Sequence, residues 1–225
     1  MADARADIFA RLRSSLDAGG PVDTRRAAAA SRIAAPPRIG LLGRVSNVDL
    51  VAAFKDRAGE LGVSISHVAS PNEIGDAVAN YLRSRNLPQV VRTSPELADV
   101  AWPSSLTVSS GGTDGDDPVG VALARAGVAE TGTVVMASGA ASPTKLNYLP
   151  ESHIVVLSAA NIVASYEQGM DIVRGDKGAL LPRPILPRSV NWISGPSRTA
   201  DIEQTILVGV HGPKRIHVVI VDHLP

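Results

Sequence analysis

The 225 residues carry no net charge, with 22 basic against 22 acidic side chains, so the chain lacks the basic excess that a dedicated nucleic-acid binder uses to neutralise phosphates. Apolar residues make up 44% and charged residues 20%, the balance of a soluble globular domain; aromatics reach only 3%, so Val, Ile, Leu and Ala must build the core. The absence of Cys excludes a disulfide framework, an all-Cys zinc site, a thiol nucleophile and a self-held iron–sulfur cluster.

Residues 3–17 set Ile8, Leu12 and Leu16 four apart, which predicts a helix with one apolar stripe, stopped by Gly19-Gly20-Pro21. This start has no continuous apolar segment of the kind an export signal needs, and no later run approaches the length of a membrane span, so a cytoplasmic location is expected. From Pro21 to Pro37 the Ala/Arg-rich chain reads as a linker with a possible helical turn. Residues 1–37 are therefore expected to be a helical arm, and 38–225 a single α/β domain.

Helix is predicted within 47–61, where Val51, Phe54, Ala58 and Leu61 recur, then strand over Val63–Val68. A second helix over 71–86 carries Ile74, Val78 and Leu82, and a strand follows near Gln89–Arg92. Such alternation predicts a mostly parallel, Rossmann-like sheet covered by helices. Ser109–Asp117 reads as a loop. Val119–Glu130 and Thr133–Ala137 read as apolar strands flanking a tight Thr131-Gly132 turn. After a loop over Ser138–Pro150 come a strand at His153–Leu157 and a helix over 159–173. Pro182, Pro184 and Pro187 predict an extended crossing. A strand ending at Trp192-Ile193, a helix around 198–206 and a last strand over Ile216–Val221 complete the chain.

Phosphate-loop, dinucleotide and metalloprotease motifs are missing, and the five His residues are scattered, so no metal site is expected. Two segments carry possible chemistry. In Glu130-Thr131-Gly132-Thr133 a carboxylate and hydroxyls sit at a Gly turn that lets a ligand approach; Glu130 is the candidate acid or base. A solvated Glu beside an ordinary turn explains the same residues. In Ser194-Gly195-Pro196-Ser197-Arg198-Thr199 a loop leads from a strand into the expected helix, whose start would offer N–H groups to an anion held by Arg198. Plain helix capping by Ser197 or Thr199 is the rival explanation. His211, in His211-Gly212-Pro213-Lys214, would complete that anion site; Lys214 reads as part of a turn.

Taken together, Ala129–Thr133, Leu149-Pro150 followed by His153-Ile154, and Ser194–Glu203 continuing through Gly209–Pro213 resemble the LutC/YkgG family of lactate-utilisation proteins, the LUD domain. Order and spacing match over about residues 100–222; residues 1–90 match only in general pattern. The resemblance implies a fold of the NagB/RpiA and CoA-transferase type. It also implies a subunit that works beside iron–sulfur proteins in oxidation of L-lactate to pyruvate, with the clusters on those partners and no cofactor of its own. A zero Cys count fits that division of labour. Related sequences often carry a Gly-Arg pair before Leu-Pro; here Lys145 stands in that stretch without the planar fork of Arg. Two other roles fit the same residues. One is a CoA-transferase-like enzyme with Glu130 as nucleophile. The other is a scaffold docking through the arm and the Pro182–Pro187 segment.

Overall fold

The computed structural model describes residues 4–35, 49–175, 186–199 and 207–224. The backbone divides into two compact units, Met1–Gly40 and Leu41–Pro225. In the first, α1 (Ala4–Asp17) has the predicted stripe, and α2 (Val22–Ala34) replaces the expected linker. Ala and Arg are strong helix formers, and the Pro residues bracket the segment without entering it. Neither helix has a buried residue, so Ile8, Phe9, Leu12 and Leu16 all remain exposed.

The second unit is built on a six-stranded parallel sheet. Its strands are β1 (Ser64–Val68), β2 (Val90–Thr93), β3 (Thr107–Ser110), β4 (Val119–Leu123), β7 (Ser152–Ser158) and β12 (Arg215–Val221), in the spatial order β1-β12-β7-β4-β2-β3. Every adjacent pair is parallel. The strands carry unbroken apolar runs because both faces of the sheet are covered. Side chains of β7 alternate between two layers: Val155 and Leu157 pack with Phe54, Ala58 and Ile220, whereas Ile154 and Val156 pack with Ile74, Val78 and Leu82.

Helix α3 (Leu50–Glu60) covers the first face. Its start is capped by Asp49, whose carboxylate accepts from Val51 N at 2.9 Å and Ala52 N at 3.2 Å. Helix α4 (Ile74–Ser84) covers the other face, following a 3-10 turn at Pro71–Glu73 with a Ser70/Glu73 capping box.

Against the α3 face lies a smaller sheet in the order β8-β5-β6-β9, made of β5 (Ala126–Val128), β6 (Thr133–Ala137), β8 (Ile162–Val163) and β9 (Val190–Ile193). The predicted run Val119–Glu130 is thus two strands in two sheets. The chain leaves the parallel sheet after Leu123, and Arg125 N already bonds Val135 O of β6 at 2.8 Å. Similarly, the helix expected over 159–173 begins only at Tyr166, as α5 (Tyr166–Arg174). A 3-10 turn at Ala159–Asn161 and strand β8 come first, because the backbone there pairs with β5. Part of the loop expected over Ser109–Asp117 is the end of β3, which pairs with β2 through its backbone although its residues are polar.

The helix expected around 198–206 is corrected at its start. Arg198–Thr199 form strand β10, antiparallel to β11 (Leu207–Val208), and 200–206 lie outside the described residues. Of the proline crossing, Pro182 and Pro184 also lie outside them. Among the described residues no helix is long and apolar enough to cross a membrane, and no cluster of His, Cys, Asp and Glu is placed to hold a metal ion.

Candidate functional site: a hydroxyl cluster and an adjoining cleft

The two segments singled out by sequence meet. Thr131 and Thr133 close the hairpin between β5 and β6, and Ser194 follows β9, the neighbour of β6. Thr133 Oγ1 lies 2.6 Å from Ser194 Oγ, 2.8 Å from Thr131 Oγ1 and 3.0 Å from the Tyr166 hydroxyl. A hydroxyl donates one hydrogen bond and accepts two, so fully buried Thr133 has no capacity left. It ties the hairpin to β9 and to the start of α5.

Gly132 makes the turn possible. Its φ is +64°, and an added Cβ would stand 2.3 Å from the backbone nitrogen of Ala58 in α3. The turn therefore presses directly on α3. Glu130 is half-buried; its backbone N–H bonds Ala164 O at 3.3 Å, and its carboxylate has no hydrogen-bond or ion-pair partner among the described residues. Tyr166, which no motif flagged, stacks at a tilt on Trp192 with ring centres 5.0 Å apart. Its signal in the sequence is the Ser165/Gln168 capping box, which fixes where α5 starts.

The Ser194–Thr199 loop runs along the far end of α3. Gly195, with φ +92°, sits against Leu61, and Arg198 Nη2 donates to Leu61 O at 3.1 Å. The guanidinium thus rests on the carboxyl end of a helix, where cations are favoured. Half-buried Pro196 leads into Ser197. Ser197 N donates to Pro213 O at 3.0 Å and Ser197 O accepts from Gly209 N at 2.9 Å, which locks this loop to the one carrying His211.

His211 belongs to a different feature. A cleft of about 570 Å³ opens at the amino ends of β4, β7 and β12. Its walls are the segments leading into those strands: Gly115–Pro118, Tyr148–Glu151, and Gly209–Gly212 with Lys214. Within the cleft Glu151 takes Arg215 Nη1 at 3.1 Å and Lys214 Nζ at 3.4 Å, both on Oε1. Hydrogen bonds from Arg215 and then Lys214 hold its carboxyl below the usual carboxylate range. At Asp117 burial pushes the carboxyl up, but hydrogen bonds from Arg92 and Thr113 outweigh it and leave the group below its ordinary value. Burial raises the Tyr148 phenol. Lys145 pairs with Asp114 at 3.2 Å on an exposed surface.

Beneath this cleft lies His153, two residues beyond Glu151. It is fully buried, neither ring nitrogen has a partner among the described residues, and burial lowers its pKa to about 4. Register sets it beside Gly120 and Ile216, and Val155 and Leu157 show that odd residues of β7 face α3. The backbone of Leu146 and the ring of Pro150 crowd Gly120, where an added Cβ would meet Leu146 O at 2.7 Å.

Residues 117–221 match the LUD domain family model. The LUD match spans β4 to β12 and so includes the hydroxyl cluster and most of the cleft wall. Over 207 residues the chain is 27% identical to Lactate utilization protein C of Geobacillus thermodenitrificans, covering 83% of this chain and 84% of that one. The corresponding protein of Deinococcus radiodurans is 29% identical over 211 residues, covering 87% and 91%. Lactate utilization protein C 1 of Bacillus mycoides is 36% identical over 104 residues, less than half of either chain. Among solved structures, a DUF162 family protein from Deinococcus radiodurans superposes with a TM-score of 0.58 at 23% identity, covering 79% of this chain and 99% of that one. That likeness concerns the fold.

Proposed function

We propose that this protein is a cytoplasmic subunit of a lactate-utilisation system, which binds a ligand or its partners and leaves electron transfer to iron–sulfur proteins. One observation carries the reading: relatives named Lactate utilization protein C align over 84% and 91% of their own lengths. The sequence adds chemistry to the name. With no Cys among its 225 residues the chain has no thiolate with which to ligate a cluster, so the oxidation of L-lactate to pyruvate would need its redox centres elsewhere.

Deleting the gene in its host should abolish growth on L-lactate as sole carbon source while growth on pyruvate persists. The tagged protein, purified from lactate-grown cells, should bring iron–sulfur proteins with it. Unimpaired growth of the deletion strain on lactate would overturn the reading. Glu130 as a CoA-transferase nucleophile draws no support from the site, since nothing among the described residues orients or activates its carboxylate.

A further inference from the structure

We propose that the cleft at the amino ends of β4, β7 and β12 is a binding site for a small organic anion, carboxylate or phosphate ester, whose charge takes the place of Glu151 at Lys214 and Arg215. Sheet order sets the layout. Because β7 lies between β12 and β4, its leading segment, with Tyr148 and Glu151, forms the floor. The loops before β12 and β4 rise as walls about 10 Å apart, two strand spacings. The volume, about 570 Å³, is that of a small-molecule pocket.

Charge decides which end takes the anion. Two cations converge on one oxygen of one carboxylate, so the β12 wall keeps an uncompensated positive charge. The same wall offers backbone donors. Val210, His211 and Gly212 sit in a bend between Gly209, at φ +86°, and Pro213, and their N–H groups have no acceptor among the described residues. Consecutive free amides beside a cation form a cradle for carboxylate or phosphate oxygens.

On the β4 wall Asp117 is neutralised by Arg92 at 3.0 Å, whereas exposed Asp116 has no ion-pair partner among the described residues. A ligand lying across the cleft would therefore turn its anionic group to the Gly209–Lys214 loop and a hydroxyl or amine to Asp116. Glu151 is the internal occupant that such an anion displaces.

Calorimetric titration of the whole protein tests this, with inorganic phosphate, L-lactate, D-glycerate and phosphoglycerate as probes and glycerol as the uncharged control. At least one anion should bind and glycerol should not; a preference for phosphoglycerate over glycerate identifies phosphate as the favoured group, and the reverse identifies carboxylate. Glu151→Gln should tighten that binding about tenfold by removing the competitor, and Lys214→Ala should weaken it about tenfold. The proposal falls if neither the wild type nor Glu151→Gln binds an anion at millimolar concentration, if glycerol binds as well as glycerate, or if Lys214→Ala leaves affinity unchanged. The cleft does not depend on the lactate role: loss of growth in the deletion strain without anion binding would keep that role and remove the cleft, and binding with normal growth would do the opposite.

Discussion

Two buried imidazoles show how single residues set the pH response. His153 has no partner among the described residues, and His217 is held by Ser64 Oγ at 2.9 Å and Ser66 Oγ at 3.0 Å while stacking on Tyr81 at 3.9 Å. Burial lowers both pKa values to about 4 from an ordinary 6.5. The unfolded chain therefore takes up protons near pH 6.5 that the folded chain refuses until about pH 4. Stability is complete above 6.5 and falls as pH drops toward 4, by on the order of 3 kcal/mol for each group. Calorimetric melting between pH 7.5 and 4.5, values that bracket ordinary His titration, should show this decline, and a variant lacking both imidazoles should melt with a flatter profile. Thr133 gives a second residue-scale expectation. Thr133→Val removes the hub of three hydroxyl contacts and should cost about 1–3 kcal/mol in urea unfolding, the typical cost of stranding buried polar groups.

Elements meet at places where a backbone, not a side chain, makes the contact. The β5–β6 turn touches α3 through Gly132, and Gly132→Ala would put a methyl group into the helix backbone at a φ that Ala disfavours. Destabilisation of about 3 kcal/mol or more is expected, seen as a lowered melting temperature or loss of soluble protein. Arg198→Ala, by contrast, should cost no more than about 1 kcal/mol in urea unfolding, because its exposed guanidinium only caps the last carbonyls of α3. The same helix end explains why the Ser194–Arg198 motif was readable as a site without its geometry being readable. Gly, Ser, Pro and Arg after a strand fit both a helix start and a loop that returns across another helix; the choice belongs to Leu61, far away in sequence.

At the scale of the whole molecule, the first compact unit, Met1–Gly40, is Ala/Arg-rich and made of two helices. No residue of α1 or α2 is buried, so removal of Met1–Gly40 should leave the melting temperature within about 2 °C, less than a 1 kcal/mol change would produce. Differential scanning calorimetry of the shortened chain checks this. A larger drop would mean that the arm contributes to the stability of the unit that carries the site.

By itself the sequence determined the apolar strands, their alternation with helices, the hairpin at Thr131-Gly132 and the likeness to the LUD domain. These follow from local periodicity and turn chemistry, which neighbours in the chain carry in full. It also singled out Glu130–Thr133 and Ser194–Thr199, though not how they touch. Only the tertiary structure decided that Val119–Val128 serves two sheets, that Arg198 caps α3, and that His211 belongs with Tyr148, Glu151 and Lys214 across a cleft. Strand order β12-β7-β4 brings the lining of that cleft together from three segments as far as 99 positions apart along the chain, Gly115 to Lys214. Parallel pairing joins strands without any local signal of which is neighbour to which, so a site assembled at their ends becomes visible only once the sheet has formed.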